Sequence, residues 1–409
     1  VYVRSAAFSD GEEGFWPVLS NRVLVTESQP IFVPGGKTKS FTLRGLAESS
    51  TTPLHHQLTF DMVANPVWEV IKALPYLREY PYDCTEQVMN RWFANALALH
   101  IASTQPQLAA YYASWAKDST ALQSPLAQHE AHKTALLSET PWVKDALAEG
   151  AQRQQIRELF DRETRLAEQQ NDWQTLLQRQ RPDGSFSWFP GGPDNLYMTQ
   201  YVVEQFTRLQ QLTANEQQDD AFVRSALRYL DEQMAKRYRD LAKNDNLEGD
   251  HFDPTIAQYL YVRTSYPTNP LAQEPQIYQY WLAQAGKYWP QQPLQSQAYA
   301  AIALKRAQQT DIAASIFQSF RERSRYEEDL GRYWPHPQGW HWYQHPLETH
   351  CLLMEAYREL GGTPQEQDEL RLWLLRHKEA NRWETTKATA AAIHALLQDG
   401  SDWQADHKP

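Results

Sequence analysis

The chain has 409 residues, 42% of them hydrophobic, with 15 Trp, 21 Tyr and a formal net charge of -11. That length gives one large domain or two ordinary ones, with enough apolar side chains for a sizeable core. An acidic balance without a compensating basic stripe argues against nucleic acid as a partner and against simple electrostatic docking to anionic lipid.

No initiator Met and no signal peptide stand at Val1, so the expectation is a processed chain or a piece of a longer protein. The first sixty-odd residues read as β. Arg22-Val-Leu-Val-Thr26 and Pro30-Ile-Phe-Val-Pro34 are short runs of strand formers, and Gly35-Gly36 closes the second. Lys39–Leu43 and His56–Met62 alternate polar and apolar residues. Three or four strands are too few for an independent sandwich. Residues 1–65 are therefore expected to belong to a β-domain completed elsewhere in a larger protein.

After Asn65-Pro66 the pattern turns helical and stays so to the end. The spacing of apolar residues predicts helices over Val67–Leu74, Cys84–Ile101, Arg153–Gln170, Tyr197–Leu212, Ala221–Ala235 and Pro254–Val262. It predicts further ones over Gln276–Ala285, Gln295–Gln308, Asp311–Arg323, Leu347–Leu360, Pro364–His377 and Thr385–Leu397. About a dozen helices with apolar stripes suggest helical hairpins closed into a ring or stacked as a solenoid. A faint repeat favours the ring. Asp183–Trp188, Gln338–Trp342 and Asn381–Trp383 are aromatic loops, each feeding a helix that carries Thr199, Thr349 or the pair Thr385 and Thr386. Tyr80-Pro-Tyr82 is a looser fourth copy. The expected architecture is thus mainly α, an α/α toroid over residues 66–409 preceded by a short β-rich segment. The longest apolar run, Ala388–Leu397, is interrupted by Thr389 and His394 and is far too short to span a bilayer.

Only two cysteines occur, Cys84 and Cys351. One disulfide between them is open at this stage, but a disulfide framework is not the source of stability. Asp83 can cap a helix whose first residue is Cys84, and Glu86 three positions on completes a capping box. Cys84 and Gln87 then share a helical face, so thiol and carboxamide can meet. A helix N-terminus favours negative charge and lowers a thiol's pKa, which would place a thiolate beside a carboxamide carbon. Displacement of ammonia from Gln87 by the sulfur would give an internal thioester, a far better acyl donor than an amide. The bland reading is an inert buried cysteine at an ordinary helix start.

The run Tyr80-Pro-Tyr-Asp-Cys-Thr-Glu-Gln87, with Asn65-Pro-Val-Trp68 and Ala73-Leu-Pro-Tyr76 before it, resembles the thioester region of bacterial α2-macroglobulins. Arg179-Gln-Arg-Pro-Asp-Gly-Ser-Phe186 resembles the segment crossing that family's thioester domain, and Trp383-Glu-Thr-Thr-Lys-Ala-Thr-Ala390 its closing helix. The motifs lie in the family's order, and the resemblance spans Arg22 to about Leu397. It implies a terpenoid-cyclase-like α/α toroid with flanking β-domains and a Cys84–Gln87 thioester. It also implies that Tyr80 shields the bond from water. In full-length relatives, cleavage of a bait segment exposes the thioester, which then acylates lysine amines of the attacking protease. The implied partners are proteases and the protein's other domains, with no cofactor and no metal. The implied setting is the periplasm or envelope of a bacterium, with a lipid anchor on the full-length protein compatible with it. No bait segment is recognisable here, so the expectation is the reactive piece of an endopeptidase inhibitor, not an enzyme.

Some complement relatives carry a His after the Asp-Gly-x-Phe segment that directs acylation to hydroxyls. Ser187–Thr199 contains none, which favours amines. His336, His341, His345 and His350 cluster near Glu348, but Pro346 and Gly339 argue for loop histidines over a zinc site. Cys351 falls on the apolar side of its helix and reads as a core thiol. The rival from another class is a carbohydrate-active α/α toroid enzyme. Asp183, Asp194, Glu348 and Glu384 lie on or near the aromatic loops, and two rim carboxylates could supply an acid and a base. A third reading is a purely structural helical module.

Overall fold

The computed structural model describes residues 2–11, 31, 33, 38–42, 67–106, 110, 154–213, 220–244, 246–266, 274–335, 339, 341, 344–379 and 381–398. Twelve of the helices among them build the architecture. In chain order they are α1 (Val67–Glu79), α2 (Thr85–Thr104), α3 (Arg162–Arg179), α4 (Leu196–Thr213), α5 (Asp220–Lys243) and α6 (Pro254–Thr264). Then come α7 (Pro275–Tyr288), α8 (Leu294–Arg306), α9 (Thr310–Arg323), α10 (Pro346–Leu360), α11 (Pro364–Arg376) and α12 (Thr386–Gln398).

The even-numbered helices pack in a closed cycle: α2 on α4, α4 on α6, α6 on α8, α8 on α10, α10 on α12, and α12 back on α2. The odd-numbered helices pack on the outside of this ring. For example, α1 packs on α12 and α2, and α9 packs on α8 and α10. This is an α/α toroid with six inner and six outer helices. Because each outer helix returns the chain, the inner helices run parallel and all their N-termini meet at one rim.

Burial separates the two rings. Inner helices are buried around their whole circumference: Met198–Leu209 in α4, Ile256–Arg263 in α6 and Gln295–Leu304 in α8 are continuous buried runs. Outer helices bury one stripe, such as Ala313, Ile316, Phe317 and Phe320 in α9, as a two-layer arrangement requires. Aromatic side chains bind the layers. Trp92 of α2 meets Trp173 of α3 at 5.3 Å between centroids, and Phe206 of α4 meets Phe222 of α5 at 5.8 Å.

The toroid axis is polar. Glu204 pairs with Arg208 at 2.7 Å and accepts hydrogen bonds from Gln258 at 2.7 Å and the Tyr299 hydroxyl at 3.1 Å. Tyr261 donates to Glu355 at 2.9 Å, and Arg306 reaches the same carboxylate at 3.0 Å. Buried charges persist where they are paired and hydrogen-bonded, and these link four inner helices.

Most helix starts and stops follow the spacing closely, but α3 runs nine residues past the expected Gln170 and α5 eight past the expected Ala235, and three further features differ. The stretch expected as one helix over Arg153–Gln170 is broken at Phe160–Asp161. A short helix at 154–159 ends there, and α3 starts anew because the Asp161 carboxylate accepts the Thr164 N–H and its hydroxyl, the latter at 2.7 Å. α1 runs five residues past Leu74, straight through Pro75, where full burial of Leu74 and near-full burial of Leu77 offset the missing N–H. A hairpin of β3 (Arg325–Glu327) and β4 (Gly331–Tyr333) sits between α9 and α10, unforeseen because each strand has only three residues.

Near the N-terminus, β1 (Tyr2–Arg4) pairs antiparallel with β2 (Ser9–Gly11). The expected strands at Arg22–Thr26 and His56–Met62 lie outside the described residues, as does most of Pro30–Pro34. Residues 39–42, expected as strand, are described and carry no strand. Lys39 instead reaches the β3–β4 turn, bonding Glu328 at 3.1 Å and Asp329 at 3.2 Å. Among the described residues, no helix is long and apolar enough to cross a membrane.

Candidate functional site at the inner rim

The Cys84 turn lies where the rim of inner-helix N-termini begins. Its geometry corrects the expected capping. Cys84, at φ -73° and ψ 166°, is itself the N-cap of α2, and Gln87 is the third helical residue. The capping box is therefore Cys84 with Gln87, not Asp83 with Glu86. The Gln87 backbone N–H points to the Cys84 side chain, and the Cys84 backbone N–H donates to Gln87 Oε1 at 3.3 Å. Asp83 is drawn away from capping by two guanidinium groups, Arg91 at 3.1 Å and Arg179 at 3.7 Å. Glu86 turns inward and accepts from Asn90 at 2.9 Å and from Thr386 of α12 at 2.7 Å. It thus closes the inner ring between its last helix and its first.

The side chains of Cys84 and Gln87 are consequently folded onto each other's backbone within one turn. Cys84 is 6% exposed and is a free thiol, as is the buried Cys351, so no disulfide joins the two. The expected lowering of the Cys84 pKa does not occur. Burial pushes the thiol up, and this outweighs the hydrogen bonds from the Gln87 and Glu86 backbone and the charge of Arg179, while Glu86 adds to the rise. The thiol is protonated at neutral pH and shielded. Burial likewise pushes Cys351 far up, fitting a core thiol.

A second element meets the turn. The backbone N–H of Thr85 donates to the Trp188 carbonyl at 2.9 Å, so the aromatic loop after α3 fastens the first helical amide of α2. Arg179 at the end of α3 reaches Thr85 Oγ1 at 3.5 Å. The loop is held from below: the Phe186 N–H donates to Thr199 Oγ1 at 2.9 Å, and the Asn195 N–H to the Phe186 carbonyl at 2.8 Å. The same device recurs before α12, where the Trp383 N–H donates to Thr389 Oγ1 at 3.0 Å, Thr389 standing in the place expected of Thr385 and Thr386. The aromatic-loop repeat is thus a structural repeat: a buried aromatic seated on a threonine of the helix it feeds. The loop containing Gln338–Trp342 falls largely outside the described residues.

Tyr80 is half-buried, edge-on to Tyr76 at 5.6 Å and tilted against Tyr82 at 5.8 Å, so it belongs to an aromatic row beside Cys84. Across the turn, Trp188 stacks on Tyr197 at 5.9 Å, and Lys387 of α12 lies over the Tyr197 ring at 5.6 Å. Sequence reasoning missed Trp188, Arg179, Thr386 and Lys387 as neighbours of Cys84. All four stand in segments singled out for their motifs, but what joins them is tertiary.

The other candidates are engaged structurally. Asp183 accepts the Ser185 N–H at 3.0 Å and its hydroxyl at 2.7 Å, and Asp194 accepts the Tyr229 hydroxyl at 2.6 Å. Glu384 is exposed with a positive φ of 39°, and Glu348 is buried with Oε2 lacking a hydrogen-bond partner. His350 is buried, stacks on Trp373 at 4.1 Å and bonds the Leu370 carbonyl at 2.9 Å, a packing role.

No protein-family model and no curated protein matches the chain. Among solved structures it is similar to a C-terminal part of native alpha-2-macroglobulin from Escherichia coli, at 15% identity with a TM-score of 0.44. The match covers 80% of this chain and 42% of that one, so the chain spans less than half of that structure's length.

Proposed function

We propose that the rim turn is an internal acylating site, in which Cys84 Sγ and the Gln87 side-chain carbon form a thioester. The reciprocal capping of Cys84 and Gln87 is the observation that carries this reading. It holds the thiol and the carboxamide within one turn, and the Cys84 N–H already polarises the carbonyl that would be attacked. In bond formation the sulfur adds to that carbon, the carbon–nitrogen bond breaks, and ammonia leaves with the thiol proton. In acyl transfer a primary amine takes the carbon, the carbon–sulfur bond breaks, and the amine's proton goes to the Cys84 sulfur. The Cys84 N–H then faces the oxygen on which negative charge develops, as oxyanion stabilisation requires. Burial of Cys84 keeps water away from the bond.

The resemblance of Tyr80–Gln87 and of the two later segments to bacterial α2-macroglobulins extends the reading. The toroid would be the thioester domain of a protease trap, residues 1–65 would belong to a flanking β-domain, and Tyr80 would shield the bond. Lysine amines of a protease cut off from water at this rim would be the acceptors, and the setting would be the periplasm or cell envelope.

Intact mass of unreduced protein tests the site. The expected value is lower by one ammonia than the sequence mass, and methylamine should add its whole mass, leaving the protein one methylene heavier than the sequence mass, while releasing one titratable thiol. Peptide mapping covers prior hydrolysis, which leaves a glutamate at position 87. A protein that retains glutamine at position 87 with Cys84 free from the outset overturns the proposal.

A further inference from the structure

Seven large hydrophobic side chains are exposed among the described residues, and three of them, Tyr82, Trp188 and Phe189, stand around the Cys84 turn. Tyr82 is two residues before Cys84 and 65% exposed. Trp188 is fastened to Thr85 through its carbonyl, and Phe189 beside it is 62% exposed. Scattered apolar residues on a surface need no explanation, but a cluster around a reactive turn marks a binding site.

The rings continue inward as two rows. Tyr82 leads through Tyr80 to Tyr76, and Trp188 leads to Tyr197 and, at 6.2 Å, to Tyr201. One ring behind the exposed ones in each row already carries a cation of the chain itself. Arg382 lies over Tyr76 at 5.3 Å, and Lys387 over Tyr197 at 5.6 Å. The outer ends, Tyr82 and the Trp188–Phe189 pair, are the exposed ones. Asp83 is exposed at the same turn, where it is already bonded by Arg91 and Arg179. Aromatic faces attract ammonium groups, and their flat surfaces cover alkyl stems.

We propose that Tyr82, Trp188 and Phe189 form a subsite for primary alkylammonium groups, such as the side chain of a lysine on another protein. The alkyl stem lies against the rings, and the ammonium takes the ring faces at the Asp83 side. The consequence for reactivity rests on the acyl-transfer reading: the subsite makes Cys84–Gln87 selective for long-stemmed amines over methylamine and over hydroxyls. Binding itself does not depend on that reading.

Two measurements separate these. In the Cys84→Ala full chain, which cannot acylate, 5-fluorotryptophan labelling gives a fluorine resonance for Trp188, identified by its loss in Trp188→Leu. Pentylammonium should shift that resonance saturably, binding about fivefold more tightly than methylammonium or pentanol. No saturable shift, or a pentanol response equal to that of pentylammonium, overturns the subsite. In the protein with Cys84 intact, thiol release by pentylamine should outpace release by methylamine. That ratio should fall about fivefold in Phe189→Leu, a change at an exposed ring that leaves the loop's backbone bonds in place. An unchanged ratio overturns the selectivity. Failure of every amine to release thiol removes the acyl-transfer reading while the fluorine titration still decides the subsite.

Discussion

Gly184 is where a single methyl group should disturb the site most. It has φ +92°, and a Cβ built there would lie 2.0 Å from the Ser225 carbonyl oxygen and 2.4 Å from its carbon, both in the backbone of α5. Two costs add. A non-glycine residue in the left-handed region costs about 1–2 kcal/mol. Forcing atoms into packed backbone costs about 1–3 kcal/mol more. Gly184→Ala is therefore expected to destabilise by about 2–5 kcal/mol. Gly191, seven residues on in the same loop, has φ +77° and nothing within 4 Å of its built Cβ. Gly191→Ala should show the conformational cost alone, about 1–2 kcal/mol. Urea unfolding followed by far-ultraviolet circular dichroism, read at equal slope, gives both values. Because the loop also carries the Trp188 carbonyl that binds the Thr85 amide, hydrogen exchange at Thr85 should quicken in Gly184→Ala and not in Gly191→Ala. If the two variants lose the same stability, the close approach of the loop to α5 is not as described.

Thr386→Val removes the hydroxyl that bonds Glu86 at 2.7 Å across the ring closure while keeping the side chain's shape. A hydrogen bond to a carboxylate contributes about 1.5–3 kcal/mol, so a loss of that size is expected in urea, and a change below about 0.5 kcal/mol contradicts the ring closure. The raised pKa of the Cys84 thiol gives a signed pH effect in Gln87→Leu, where the thiol stays free. A folded pKa above the unfolded one stabilises below the unfolded value, and that contribution is lost as pH rises through the folded value. Alkylation of Cys84 by iodoacetamide should therefore accelerate only above the ordinary thiol value of about 8.5, with stability declining over the same range. A reaction midpoint below that value shows that the helix N-terminus governs the sulfur instead of burial.

Much of the toroid was legible because its helices differ in what they must bury. A stripe such as Val202, Phe206 and Leu209 has helical spacing whichever ring it occupies, so the helices and their order emerged from periodicity. Which of them were inner did not. Inner helices such as α8 bury Gln295, Ser296 and Gln297 alongside alanines, and those polar residues read as a solvent face until the axis is seen. The β3–β4 hairpin escaped for a different reason. Its β4 strand lies against α11, and Gly331 at φ +82° sits where a Cβ would meet the Glu369 carbonyl at 2.2 Å, a tertiary constraint with no local signal.

At the site, spacing anticipated that Cys84 and Gln87 share a turn, but for partly wrong reasons. Cys84 and Gln87 meet, but as N-cap and third residue, because the guanidinium groups of Arg91 and Arg179 outcompete the helix for Asp83. Arg179 comes from α3 and Arg91 from a turn further along α2, so a local capping argument had no means of weighing them. The same two cations bear on the choice between readings. An acid–base pair for glycoside hydrolysis needs two carboxylates facing one cleft. Of the rim carboxylates, Asp183 and Asp194 each hold a hydrogen bond that fixes the loop, and Glu384 is exposed. Glu348 alone is buried with an oxygen lacking a partner. What the rim does bring together is a sulfur, a carboxamide, a backbone N–H aimed at that carboxamide's oxygen, and exposed aromatic rings beside them. Those are the parts that the proposed single acyl transfer would use.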